Sequence, residues 1–173
     1  MTSIPAWFAK LPAPRGKKLL AIDNNVISEY FIRKRETPEL KFVFEDPSLQ
    51  IQCSRRVIDE ALNHPSLPAV QMPNVWASLT QLQGTGKLFL SGTTQMAPAQ
   101  LAEHKELIRL LQQASVRVED AAVTADAIVK KIPLLRLDQK FKNAMTPALQ
   151  NPTVRAFLKI HSLLDSATLI FVS

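Results

Sequence analysis

Cysteine is nearly absent. Cys53 stands alone among 173 residues, so neither an internal disulfide nor a cysteine-rich zinc site can form. Glycine is scarce as well. With only Gly16, Gly84, Gly86 and Gly92, no glycine-rich dinucleotide loop can be built. Gly84-Thr85-Gly86-Lys87 has a faint phosphate-loop look. Leu88 replaces the Ser or Thr that such a loop needs, and the upstream glycine is missing, so the segment reads as a turn between a helix and a strand. His64, His104 and His161 are too far apart for a helical zinc-binding pair and read as surface or helix-end residues. No Gly-x-Ser-x-Gly elbow occurs, which argues against a serine hydrolase.

Long apolar runs are missing too. The longest, such as Ala167 to Val172, fall far short of the roughly 20 residues of a spanning helix. The first residues lack the apolar core, about 7–15 residues long, of a secretory signal. These absences lead us to expect a cytoplasmic protein in a reducing compartment, with no membrane partner.

What is present is a globular mixture: 46% hydrophobic and 21% charged residues. There are 21 Lys and Arg against 15 Asp and Glu, a net charge of +6, and the pI is about 9.7. That excess points to a polyanionic partner. The expected organisation is a basic irregular arm over residues 1–18, which Trp7 and Phe8 could tack onto the body, and a single domain over 19–173.

Short apolar runs alternate with helical patterns. Leu19 to Ile22, Leu49 to Cys53, Lys87 to Ser91, Ile132 to Leu135 and Ala167 to Val172 read as strands. Thr37-Pro38-Glu39 and Ser54 are helix starts. Val75, Trp76, Leu79 and Leu82 mark one helix, Pro98 to Ala114 is the clearest, and another runs from about Thr153 to Leu164. Val116 to Val118 reads as extended, with Asp120 capping the helix that follows. Tyr30, Phe31 and Trp76 read as core rather than as base-stacking platforms. No hairpin signal appears. The pattern predicts an α/β fold: a three-layer α/β/α sandwich around a mostly parallel sheet of about five strands.

In open parallel sheets, ligands bind where strands end and helices begin. Asp23 follows the first strand, Asp120 the Val116–Val118 segment and Asp138 the fourth strand, while Glu60 lies on the helix after the second. Taken singly, Asp120 serves equally well as a plain cap, and Glu60 as a solvated helix residue. Gathered together, four carboxylates would need a cation among them, and hard oxygen donors suit Mg²⁺ or Mn²⁺. Such an ion beside phosphate is the usual apparatus of phosphodiester hydrolysis.

The residues around these acids resemble the PIN-domain nucleases. Leu20-Ala-Ile-Asp23-Asn24-Asn25-Val26-Ile27 is similar to the family's first strand and turn. Gln52 to Leu62, with Ser54 and Glu60, resembles its second segment. Glu119-Asp120 with the Ala-rich helix, followed by Ile132 to Phe141 with Asp138, resembles its closing pair. The likeness spans about Leu19 to Phe141. It implies a metal-dependent endoribonuclease in which Asp23, Glu60, Asp120 and Asp138 hold Mg²⁺ or Mn²⁺ and Asn25 orients Asp23. It also implies RNA as substrate and, for the VapC-like toxins, an antitoxin protein as partner; a homodimer stays open.

Two positions depart from the family pattern. Asn24 replaces the usual hydroxyl residue after the first acid. Arg136 stands where a Thr or Ser usually precedes the last acid; its cation could pair with a carboxylate and compete with metal, or contact phosphate. Arg136 therefore favours an alternative, a degenerate PIN-like domain that binds RNA or a protein without cleaving. A phosphoryl-transfer receiver domain is a third reading, but Asn24 spoils the adjacent acidic pair it needs. Setting the four acids aside leaves 21 bases against 11 acids, and Arg33, Lys34, Arg35, Lys140 and Lys142 are the candidate RNA contacts. Asp120 and Asp126 point to different helix faces. Asp120 is expected towards the site, and Asp126 outward.

Overall fold

Leu20 and Ile22 are wholly apolar and almost fully buried, and in a computed structural model describing residues 4–171 they anchor β1 (Lys18–Ile22). A short helix, α1 (Asn24–Ile27), follows and widens into a π-helical turn at Ser28–Ile32. Then come α2 (Pro38–Glu45), β2 (Leu49–Cys53), α3 (Arg55–Leu62), α4 (Met72–Gly84) and β3 (Leu88–Leu90). The local signals explain the boundaries. The Thr37 hydroxyl accepts from the Leu40 N–H with Pro38 at the first helical position, and the Ser54 hydroxyl accepts from the Val57 N–H. β1 and β2 pair in parallel with Leu20 opposite Ile51, and β2 and β3 with Cys53 opposite Leu90. These elements form one compact unit ending at Ser91.

A second compact unit spans Gly92–Phe171. It holds α5 (Pro98–Gln113), α6 (Val118–Val129), β4 (Leu134–Arg136), α7 (Gln139–Gln150), α8 (Pro152–Ile160) and β5 (Leu169–Phe171). β4 and β5 are parallel, with Arg136 opposite Phe171. The five parallel strands run in the order β3-β2-β1 in the first unit and β4-β5 in the second. With eight helices among the described residues, this is the expected α/β class. The expected last strand is shorter, Leu169–Phe171, and Val172 lies outside the described residues, as do the first three residues of the arm.

The basic arm is less irregular than expected. It forms a 3-10 turn at Ala6–Lys10, tied down as anticipated by its aromatic residues. The Trp7 indole donates to Glu39, the Phe8 ring meets Phe42 edge-on, and the Lys18 ammonium donates to the Ala9 and Leu11 carbonyls.

Four expectations are corrected. Val116–Val118 is extended only at its middle: Arg117 is extended, but α6 already begins at Val118. The reason is the tight end of α5, where Ser115 takes a left-handed φ of 72° and the Val116 N–H returns to the Leu111 carbonyl. Asp120 is therefore inside the first turn of α6 and does not cap it. Second, the helix placed at Thr153–Leu164 ends at Ile160, and a separate helix, α7, precedes it despite Pro147. Phe141, Met145 and Ala148 bury one face of α7, which outweighs the proline penalty. Third, Trp76 is 43% exposed and not core. Val75 and Leu79, four residues apart, take the inward face of α4, and Trp76 is turned about 100° away from Val75. Fourth, His104 is buried on α5 rather than at a helix end or on the surface. Burial pushes its imidazole below the usual pKa, against the opposing pull of Asp126.

Candidate functional site

β4 carries the residue that organises the acids of the second unit. Arg136, the last residue of that strand, is 3% exposed. Its Nη2 lies 3.5 Å from Asp120 Oδ1 and 3.7 Å from Asp138 Oδ2. Asp120 reaches it from the first turn of α6, and Asp138 from the N-cap of α7. Asp138 also closes the start of α7, where its Oδ1 accepts from the Lys140 N–H at 2.8 Å. The guanidinium sits over the Phe141 ring, 3.8 Å from its centroid. Both ion contacts are longer than the roughly 2.7–2.9 Å of a tight charge-assisted hydrogen bond. Arg136 thus acts as a fixed positive charge shared by two partly exposed carboxylates. This is the pairing with an acid that its position in the sequence allowed. Its burial leaves it badly placed for the other role considered, contact with phosphate.

Asp23 and Glu60 belong to the first unit. Asp23 directly follows β1 and is 3% exposed; its backbone caps α1 but its side chain does not. Two residues on, both polar atoms of the Asn25 amide are buried and without a hydrogen-bond partner among the described residues, and so is the Ser28 hydroxyl at the start of the π-helical turn. Glu60 lies on α3, where its carboxylate meets the Arg56 guanidinium at 3.1 Å, one turn earlier on the same helix. That is the ordinary i,i+4 arrangement of a solvated helix face. Asp126 pairs in the same way with Lys130 at 2.9 Å. Its side chain is only 19% exposed and close enough to His104 to act on it, so it does not point outward as expected.

Among the described residues, no three His, Cys, Asp or Glu side chains gather into a group able to hold a metal ion. Within the second unit, Asp120 and Asp138 come together through Arg136. A divalent ion on Asp120 and Asp138 would have to share those carboxylates with the Arg136 guanidinium.

The basic candidates divide by partner. Arg33 and Arg35 both lie against Glu29, at 2.8 Å and 3.7 Å. Lys34 between them is exposed and makes no ion pair among the described residues. Lys140 is exposed, and the Lys142 ammonium lies 5.3 Å from the Phe171 ring centroid. Lys87, from the Gly84–Lys87 segment, plays an internal part. The segment is a turn, with Gly86 at a φ of 77°, as expected. The Lys87 ammonium donates to the Asp46 and Leu49 carbonyls at 2.5 Å and 2.6 Å. Nothing in the sequence distinguished Lys87 as a buried cation. No protein-family model matches the chain, and no curated protein matches it.

Proposed function

We propose that this protein is a PIN-like domain that binds RNA without metal-dependent cleavage. The observation that carries the reading is the buried Arg136 held between Asp120 and Asp138. A fixed cation on those carboxylates neutralises part of the charge a divalent ion would use and repels the ion itself. The net charge of +6 supports a polyanionic partner, and Lys34 and Lys140 are the exposed bases best placed to meet phosphates. The PIN likeness of the segments around Asp23, Glu60, Asp120 and Asp138 supports RNA as that polyanion.

One observation favours a second reading, the Mg²⁺- or Mn²⁺-dependent endoribonuclease, acting as a toxin restrained by an antitoxin. The Asn25 amide, two residues after Asp23, and the Ser28 hydroxyl are buried and make no hydrogen bond among the described residues, so their polar atoms are available to a ligand. Incubating purified protein with labelled RNA in Mn²⁺ and in EDTA separates the two. Retained binding with no ion-dependent cleavage supports the first reading. Cleavage present in Mn²⁺ and lost in EDTA overturns it in favour of the second.

A further inference from the structure

The first unit contains a groove of about 200 Å³. Phe31 and Lys34, from the π-helical turn and its exit, form one wall, and Gln71, Asn74, Val75 and Ser78 of the α4 region form the other. Its chemistry is mixed in a particular way: one cation, two carboxamides, one hydroxyl, one aromatic ring and one aliphatic side chain, with no carboxylate. Lys34, Gln71 and Asn74 are exposed, and their side chains make no hydrogen bond among the described residues. Glu29 occupies Arg33 and Arg35 on either side of Lys34, so the local positive charge offered to a ligand is that of Lys34. The Phe31 ring is held edge-on by Tyr30 and Phe44, each 5.0 Å away, which fixes the aromatic wall.

Each group selects against a simpler ligand. A lone inorganic anion would use Lys34 but neither the carboxamides nor the ring. A complete free metabolite generally takes a pocket of about 300–1,000 Å³, larger than this one. A base on a chain fits both counts. Carboxamides offer paired donors and acceptors to a base edge, a ring gives a π-face, and a lysine meets the attached phosphate. The edge must be unpaired to be reached, because the bases of an RNA duplex are read poorly through its narrow major groove.

We infer that this groove receives one unpaired nucleotide of single-stranded RNA, its base edge on Gln71 and Asn74 beside the Phe31 ring and its phosphate on Lys34. The inference rests on the reading of the protein as an RNA binder and names the form of RNA it takes. Trp76, although exposed, lies outside the groove and has Arg55 over its ring at 5.7 Å.

Fluorescence anisotropy with short labelled homopolymers of A, C, G and U, and with a labelled duplex, tests this on the full chain. The expected result is that single strands bind more tightly than duplex. Gln71→Ala and Asn74→Ala each weaken the preferred homopolymer by at least about fivefold and change the ranking among the four. Lys34→Gln weakens all four alike and lowers the salt slope by roughly 0.7. All three residues are exposed, so melting curves matching the wild type show that the fold is kept, and three independent variants guard against one that fails to fold. Wild-type RNA binding with unchanged affinity and ranking in the carboxamide variants would overturn the groove and leave the RNA-binding reading standing. A duplex preference would do the same. No binding of any RNA by the wild type would overturn both.

Discussion

The Arg136 guanidinium lies 3.8 Å from the centroid of the Phe141 ring, so one face of the cation is covered by an aromatic side chain while its edge meets Asp120 and Asp138. The ring is almost fully buried and belongs to α7, and the guanidinium closes β4. The contact therefore joins a strand end, a helix start and two carboxylates in one arrangement, and packing and charge reinforce each other there.

Arg136→Thr should destabilise the protein by about 2 kcal/mol in urea unfolding. That is below the roughly 3–5 kcal/mol of breaking a fully buried pair, because Asp120 and Asp138 keep access to water. The same variant should gain a thermal shift in millimolar Mn²⁺ that the wild type lacks. An equal Mn²⁺ shift in both proteins would show that Arg136 does not exclude the ion.

Phe141→Ala should cost about 4 kcal/mol, within the range for emptying a buried aromatic site. Phe141→Leu should recover most of the packing but not the cation–π contact. A leucine variant as stable as the wild type would assign the whole effect of Phe141 to volume.

Asp120→Asn and Asp126→Asn should differ. The first removes a carboxylate from the buried Arg136, and the second takes one from a mostly buried pair with Lys130, next to His104. The loss in urea unfolding should be about 1 kcal/mol or more for each, and the two should part at His104. In Asp126→Asn the His104 pKa, followed by NMR, should fall further, because the carboxylate is what opposes burial. A His104 titration that does not move would show that Asp126 is not its partner.

Burial lowers the Lys87 ammonium from 10.5 to about 8, despite the opposing charge of Asp46. Between those values the unfolded chain holds a proton that the folded chain has lost, so stability rises with pH across that window. The Lys87 contribution is complete above the unfolded pKa and disappears as pH falls through the folded one. The difference in unfolding free energy between wild type and Lys87→Met should therefore shift in favour of the wild type from pH 8 towards pH 10. A constant difference would mean that the ammonium stays charged where it is. Tyr30, raised to about 12, acts in the opposite sense only above pH 10.

The strands β1 and β2 and the starts of α2 and α3 were legible in the residues themselves. Their signals are local: an apolar run closed by Asp23, the alternating Leu49, Ile51 and Cys53, and Thr37 or Ser54 within reach of an N–H three residues on. The alternation of such segments sufficed for the α/β class, because parallel strands need helical crossovers. Tertiary structure decided the rest. α7 exists against its own Pro147 because Phe141 and Met145 are buried, and burial depends on what lies opposite, not on neighbours in the chain. Trp76 and Val75 are adjacent and both apolar, and only the packing of α4 chose which faces inward. Arg136 could be read as a departure able to pair with an acid. That it lies buried between Asp120, sixteen residues before it, and Asp138, two after, follows from where β4, α6 and α7 bring their ends. Charge interactions reach only a few ångströms at full strength, so which carboxylate meets which cation is set by folded geometry and not by sequence order.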